Sequence, residues 1–402
     1  MLVQFMVKNV LSFKEETILD MSAINAYKEH ACNLVDIGEK EKYLRVAAIY
    51  GANASGKSNL HLAMKYFQSI ILKSLNNVDD SAEPVISKYY FPFSFEGHQE
   101  NSEFQIIVVL DGYEYTYGFE YNAACIVSEW MYRKDLRTNR KSMVFERTTD
   151  SVDFGASVRK ECETYKEQIP VDALVISFFN KLKLKTGIFK VVYTGIMGIW
   201  AVSADFGEDT GIFKKFLPSI IENEKGNFIE FLTAIDTGIK DICYEDDGER
   251  IRFFTVHQGR DGKDYRLNLF SESAGTRKSI VMFIYARIVI LGNGVIFIDE
   301  LNIKLHPLLL KFIVDLFYRQ NSAAQLIYTT HDTTLMDKRF FRRDQIWFMQ
   351  KDEYGYSTLT ALSDYKIRSD ASFEKDYLAG VYGGIPFLKE FKMEEGEIDG
   401  IR

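Results

Sequence analysis

The sequence predicts an α/β fold with a β-rich N-terminal lobe and a compact helical insertion, and three observations carry that expectation. A short apolar run, LRVAAIY (44–50), ends directly in a glycine-rich loop and is followed by apolar residues at helical spacing. Antiparallel strand signals dominate up to about residue 165. Strand–helix alternation returns from about residue 251, the mark of a parallel sheet covered by helices.

The elements follow in order. The opening VQFMVKNV alternates like a half-buried strand. After the glycine loop, Leu60, Met64, Phe67 and Ile71 share one face of a helix over 59–75, and Asp79, Asp80 and Pro84 then mark a loop. FQIIVVL and YEYTYGFEY flank Asp111-Gly112, a two-residue hairpin signal. The alternating KLKLK (Lys181 to Lys185) predicts an edge strand guarded by lysines. Residues 166–250 carry aromatic-rich helical pieces, GIFKKFLPSII and NFIEFLTAIDTGI. No heptad pattern lasts three repeats, so no long coiled-coil arm is expected. GVIFIDE (294–300) and AQLIYTTH (324–331) predict buried parallel strands around the helix LLLKFIVDLFY, and 344–362 predicts a terminal hairpin. The charged tail after Lys389 is expected to fray. The resulting division is an N-terminal lobe 1–165, a helical insertion 166–250 and a C-terminal lobe 251–402.

Composition narrows the class. The chain has 402 residues, 47% apolar and 26% charged, which suits a globular protein with a real core. No apolar run reaches the roughly 18 residues that span a bilayer, and the start lacks a signal-peptide pattern, so a cytoplasmic protein with no membrane partner is expected. Cys32, Cys125, Cys162 and Cys243 lie far apart, which suggests neither a zinc site nor a disulfide framework. The net charge of −8 disfavours non-specific coating of DNA. Nucleic acid stays a candidate partner through two local patches, Arg137, Arg140 and Lys141, or Lys338, Arg339, Arg342 and Arg343; the competing reading of both is a solvated loop.

Four motifs carry chemistry. Gly51-Ala52-Asn53-Ala54-Ser55-Gly56-Lys57-Ser58 matches the phosphate-binding pattern G-x-x-x-x-G-K-[ST] between a strand and a helix. Glycines let backbone N–H groups curl around a phosphate, the helix N-terminus adds positive potential, Lys57 reaches the β- and γ-phosphates, and Ser58 can ligate Mg2+. In VIFIDE, Asp299 and Glu300 arrive at a strand end, where Asp299 can hold Mg2+ and Glu300 can activate water. His331, after the next strand, can contact the γ-phosphate or the attacking water, or be merely structural. Ser273 and Gly275 open a helix, either as an ordinary cap or as a second anion site, which a single ATP in one chain does not need but a second protomer would supply.

The order of these motifs resembles the ABC-type ATPase heads of SMC, RecF and related proteins. Asn53 and Asn59 are similar to their G-x-N-x-x-G-K-S-N loop, ESAGT to their signature motif, and VKNVLSFKEE to their N-terminal strand, without its usual arginine. A closer resemblance covers nearly the whole chain: MLVQFMVKNVLSF, YGANASGKSN, FIDELNIKLHP, YTTHDTTLMD, RRDQIWFMQKDEYG, LSDYKIRSD and YGGIPFL look like stand-alone AAA-family ATPases of the RloA/AbiL kind. The glutamine loop of ABC heads is not placed; Gln99 and Gln105 merely flank a strand.

This resemblance implies a P-loop NTPase fold of ABC-ATPase type. It implies ATP on Gly51, Asn53, Ala54, Ser55, Gly56, Lys57, Ser58 and Asn59, and Mg2+ on Ser58 and Asp299. Glu300 and His331 would be catalytic, with Ser273 and Gly275 acting in trans across a homodimer or larger homo-oligomer of ATP-sandwiched heads. It further implies a role in bacterial abortive infection and phage defence with a separate effector, often a RloB-like protein related to Toprim nucleases. The alternative is a RecF/SMC-like DNA-repair ATPase.

Overall fold

The computed structural model describes residues 1–37, 41–75, 84–96, 100–203, 210–235, 237–319, 322–368 and 371–385. β-Branched and aromatic residues at alternate positions build a seven-stranded antiparallel sheet in the N-terminal lobe. Its strands are β1 (Leu2–Lys8), β2 (Thr17–Asp20), β6 (Ser102–Leu110), β7 (Tyr113–Tyr121), β8 (Ile126–Asp135), β9 (Lys141–Thr148) and β10 (Val152–Phe154), in the order β10-β9-β8-β7-β6-β1-β2. The hairpin turn falls where the dipeptide predicts it, with Asp111 at φ 49° and Gly112 at φ 79°, the left-handed pair that a tight two-residue turn requires. A small ribbon, β3 (Leu34–Ile37) with β4 (Glu41–Leu44), lies before the central sheet.

That central sheet has six strands: β5 (Val46–Tyr50), β11 (Ile199–Val202), β15 (Val295–Ile298), β16 (Gln325–Thr330), β17 (Ile346–Lys351) and β18 (Ser357–Ala361). Their order is β11-β15-β16-β5-β17-β18, parallel throughout except for the antiparallel edge strand β18. The hairpin expected at 344–362 does form, but its first strand also enters the parallel sheet beside β5, at Trp347↔Ile49. A third sheet, β12 (Ile239–Asp246), β13 (Ile251–Gln258) and β14 (Asp264–Asn268), is antiparallel.

Helices cover both faces of the central sheet, as buried parallel strands demand. α1 (Lys57–Lys73) lies between the two large sheets, and its Phe67 packs on Phe5, Phe104 and Phe119 with ring centroids 5.6–5.8 Å apart. The same core takes Ala47, Ile49, Phe297 and Ile327 from the central sheet. On the opposite face, Val46, Ala48, Ile296, Ile298 and Leu326 meet α7 (Ala274–Leu291) and α8 (Pro307–Arg319). α7 is apolar nearly all round and is buried from Lys278 to Ala286, the pattern of an interior helix.

Short helices α2 (Arg159–Cys162) and α3 (Val175–Asn180) are followed by α4 (Ile188–Met197), α5 (Thr210–Asn223) and α6 (Lys225–Ala234), and α9 (Phe373–Leu378) lies near the end. Two strands accompany the helices of 166–250: β11 is an edge of the central sheet, and β12 pairs with β13. Lys181 to Lys185 correct the expectation of an edge strand. The chain there is a turn after α3, with Leu182 N donating to Phe179 O at 3.1 Å and Leu184 N to Leu182 O at 3.0 Å. Leu182 and Leu184 pack against the core while the lysines meet solvent, so alternation is satisfied without a ladder. Asp79, Asp80, Gln99 and the tail after Lys389 lie outside the described residues. Among the described residues, no helix is long and apolar enough to cross a membrane.

One buried side chain ties the first strand to the central sheet. Gln325, at 0% exposure, accepts from Leu2 N at 2.7 Å and donates to the carbonyls of Leu2 (3.0 Å) and Leu44 (2.9 Å). Replacing it by leucine strands buried backbone groups, each costing about 1–3 kcal/mol. Gln325→Leu should lower unfolding stability by about 2–4 kcal/mol, read as a fall in urea midpoint at unchanged slope. A midpoint equal to wild type would show that this tie contributes nothing.

Candidate functional site

β5 is buried along its whole length between β16 and β17, so the loop that leaves it emerges at the middle of the sheet's C-terminal edge. Two glycines of that loop are required by close neighbours. A Cβ on Gly51 would stand 2.5 Å from the Met349 carbonyl, and one on Gly56, at φ 114°, would stand 2.4 Å from Ser357 Oγ. Ala54 also sits in the left-handed region, at φ 61°. Gly56 caps α1 without any side-chain acceptor, which leaves the first-turn N–H groups facing outward.

Lys57 is 4% exposed, and its Nζ donates to the Gly51 and Ala52 carbonyls, both at 2.8 Å. Burial lowers its pKa to about 8, against the pull of Glu300 and Asp299. Asn53 to Asn59, Glu300, His331 and Lys351 line a cavity of about 280 Å3. An uncapped helix start, a desolvated lysine and the buried, unpartnered Ser55 Oγ together suit an anionic phosphate.

The carboxylates come from the neighbouring strand ends. β15 delivers Asp299, and Glu300 follows at φ 51°, a strained position for a side chain of that type. Thr329 on β16 joins the two: its Oγ1 donates to Asp299 Oδ1 and accepts from Glu300 N, both at 2.7 Å. His331 Nε2 lies 3.6 Å from Glu300 Oε1. Burial, then the Lys57 charge, pushes the imidazole pKa down, with Glu300 opposing. Asn302 Oδ1 accepts from Thr330 Oγ1 at 2.9 Å and from His331 N at 3.4 Å, which steadies the strand end. Ser58 opens onto the cavity, and Asp299, next to the lining residue Glu300, adds a second oxygen donor of the kind a hard divalent cation takes.

The glycine-loop residues, Glu300 and His331 thus meet in one cavity, with Asp299 next to Glu300 in the chain. Ser273 and Gly275 stand elsewhere, at the exposed start of α7, where Ser273 Oγ accepts from Thr276 N at 3.0 Å. That helix start is seated on the loop after Glu300: Lys278 Nζ donates to Ile303 O at 2.6 Å, and a Cβ on Gly275 would lie 3.1 Å from Lys304 O. Gln105 is structural, accepting from Trp130 Nε1 at 3.0 Å within the antiparallel sheet. Of the second basic patch, Arg342 is 1% exposed and ion-paired with Asp344 at 2.7 Å, so it is no surface contact.

Sequence reasoning missed three groups. Ser357 Oγ lies 2.8 Å from both Ser12 Oγ and the Ser55 carbonyl, and Asn59 Nδ2 donates to Ser12 Oγ at 2.8 Å. These hydroxyls brace the loop from both ends of the chain, and no local signal marks them. Thr329 was legible only as the residue two before His331. A second cavity, about 630 Å3, shares Asn59 and Lys351 with the glycine-loop cavity and is walled by Leu11, Phe91, Phe93 and Phe95. Asn9 holds that wall, accepting from Phe93 N at 3.1 Å and donating to Glu100 O at 2.7 Å.

The profile of the family described as "AAA domain, putative AbiEii toxin, Type IV TA system" matches residues 46–337. No curated protein matches the chain. Among solved structures, an SMC head bound to the C-winged helix domain of ScpA is similar at 13% identity and TM-score 0.49, covering 93% of this chain and 99% of that one. An SMC head domain from Thermotoga maritima is similar at 13% identity and TM-score 0.42, covering 91% and 99%. An Smc head with an extended coiled coil, bound to the C-terminal domain of ScpA derived from Pyrococcus furiosus, is similar at 14% identity and TM-score 0.41, covering 95% and 99%.

The desolvated lysine has a measurable signature. Its pKa falls from 10.5 to about 8 in the folded chain, so between those values the unfolded chain holds the extra proton and stability rises with pH. Lys57→Met lacks this contribution. The stability difference between wild type and Lys57→Met, from urea midpoints, should move in favour of wild type as pH is raised from 8 towards 10.5. A pH-independent difference would mean that the loop does not desolvate the ammonium.

Proposed function

The chain belongs to this AAA-domain family, and from that premise we propose that it is a Mg2+-dependent ATPase of ABC type that converts ATP and water to ADP and phosphate. The observation that carries the reading is the convergence of Lys57, Glu300 and His331 on one cavity of about 280 Å3 at the ends of three adjacent parallel strands. Lys57 exchanges its two loop carbonyls for β- and γ-phosphate oxygens. Ser58 and Asp299 would hold Mg2+, which would neutralise phosphate charge. Glu300, held at the strand end by its N–H bond to Thr329, accepts the proton of the attacking water. His331, its pKa lowered, meets the γ-phosphate as neutral imidazole and offers one N–H. The aromatic cavity beside Asn59 takes the nucleoside end, with the base against Phe91 or Phe95.

The reading extends to a composite site. Ser273 is exposed at the start of α7, whose first turn carries no acidic residue, so this helix start suits the γ-phosphate of a second protomer. Its seating on Ile303 and Lys304 would couple closure of the pair to the Glu300 loop. The likeness to RloA/AbiL-type ATPases, together with a family description that names a toxin–antitoxin system, supports a bacterial phage-defence role in which this ATPase controls a separate effector such as a RloB-like, Toprim-related nuclease.

Two experiments test this. Glu300→Gln should bind ATP within about 3-fold of wild type and turn it over at least about 100-fold more slowly. In the same assay Ser273→Arg and Lys57→Ala should each be inactive alone, and mixing them should restore activity through one competent composite site. Wild-type turnover by Glu300→Gln would remove it as the base, and no recovery on mixing would make the site self-contained.

The defence role is tested by phage challenge. Cells expressing the chain with its genomic neighbour should survive as a population, and cells expressing the chain alone, or the pair with Lys57→Ala, should not. Full protection by the isolated chain would sink the separate-effector reading.

A further inference from the structure

Two side chains, Asn59 and Lys351, line both the glycine-loop cavity of about 280 Å3 and the aromatic cavity of about 630 Å3. They mark the junction between the two. Asn59 is already committed there, since its Nδ2 donates to Ser12 Oγ at 2.8 Å. Lys351 is exposed, and among the described residues it is the only cation that lines the aromatic cavity. The hairpin of β17 and β18 decides where it points. Lys351 is the last residue of β17 and stands opposite Ser357 in the antiparallel ladder. Directly opposed residues send their side chains to the same face of a sheet. Ser357 uses that face to bond the Ser55 carbonyl at 2.8 Å, so Lys351 leaves the strand on the side of the glycine loop.

The turn beyond holds the lysine in place without neutralising it. Asp352 accepts from Tyr354 N at 3.0 Å and from Tyr356 N at 2.8 Å, so the adjacent carboxylate is taken up by the turn. Gly355 sits at φ 90°, and a Cβ there would lie 3.7 Å from Lys351 Cε, which lays the lysine stem over the bare glycine. The carboxylates that line the two cavities have partners of their own. Glu96 is 3.0 Å from Lys14 Nζ, and Glu300 is 3.6 Å from His331 Nε2. Among the described residues, no carboxylate is paired with Lys351.

A nucleotide with its β- and γ-phosphates on the glycine loop and its base against Phe91 or Phe95 has to cross this junction. The part that lies between those two ends is the α-phosphate with the ribose. Ribose carries no charge, so an ammonium placed there is matched to the phosphate. We propose that Lys351 is the α-phosphate ligand of a bound nucleoside di- or triphosphate, a binding contact supplied by the C-terminal hairpin and distinct from Lys57. The assignment rests on the ATPase reading, which places the two ends of the nucleotide. It carries a consequence for selectivity: ADP and ATP share the α-phosphate, so Lys351 favours both equally and leaves their discrimination to the glycine loop.

The test is calorimetric titration of the full chain with unlabelled ATP and ADP in EDTA, which prevents hydrolysis. Lys351→Met keeps the length of the stem and removes the charge. It should weaken ATP and ADP alike, each by about 10-fold, the loss expected for one charge-assisted contact. Lys351→Arg keeps the charge and should bind both within about 3-fold of wild type. Neither change should move the thermal midpoint, because the side chain is exposed. In steady-state turnover with Mg2+, Lys351→Met should raise KM for ATP by about 10-fold and leave kcat within about 3-fold. A loss confined to ATP would put the ammonium at the γ-phosphate and overturn the assignment. So would a fall in kcat at saturating ATP, or an equal loss in Lys351→Arg with a lowered thermal midpoint. Nucleotide binding by Lys351→Met equal to that of wild type would overturn this assignment alone. Absence of ATP binding by wild type would overturn the ATPase reading and the assignment with it.

Discussion

The position of β5 in the sheet constrains everything built around it. Because β5 runs parallel between β16 and β17, its end presents the glycine loop at the same level as Asp299, Glu300 and His331, which terminate β15 and β16. No functional side chain has to reach far. The strand is buried on both faces, so a slip by one residue would force Val46, Ala48 and Tyr50 into the core shaped for Ala47 and Ile49, and the reverse. The geometry of the site is inherited from a register that the core enforces.

The loop that leaves β5 is held against its own strain. Ala54 and Gly56 occupy left-handed backbone, and Gly51 approaches Met349 too closely for any side chain. Such conformations persist only where the surroundings over-determine them. Here the bracing comes from Ser357, on the last strand, which lies 2.8 Å from the Ser55 carbonyl and is itself met by Ser12, beyond the first strand. Two segments far apart in sequence thereby brace the glycine loop, and the antiparallel lobe takes part in shaping the candidate site.

Charge in the cavity is arranged by burial as much as by pairing. Lys57, Glu300 and His331 lie close enough to influence one another, yet burial is the largest influence on both basic groups and lowers both pKa values. An ammonium near its titration point and a neutral imidazole leave the cavity less positive than its composition suggests.

Some of this was legible in residues alone. The phosphate loop, the paired carboxylates and the strand-end histidine are local patterns whose spacing is dictated by one turn or one strand end, and their cavity followed from chain order in an α/β sheet. The Asp111-Gly112 hairpin is likewise local, because only left-handed backbone closes that turn. What lay beyond the sequence depends on contacts between distant segments. KLKLK alternates like a strand but packs as a turn, since the same alternation serves any segment with one side on a core. Arg342 reads as surface charge and is buried, because Asp344 and three backbone carbonyls replace its water. Ser12 and Ser357 are unremarkable hydroxyls until the sheet brings them within 2.8 Å of each other. Short-range backbone chemistry is written in neighbouring residues; partners for buried polar groups are decided only when the fold selects which distant segments meet.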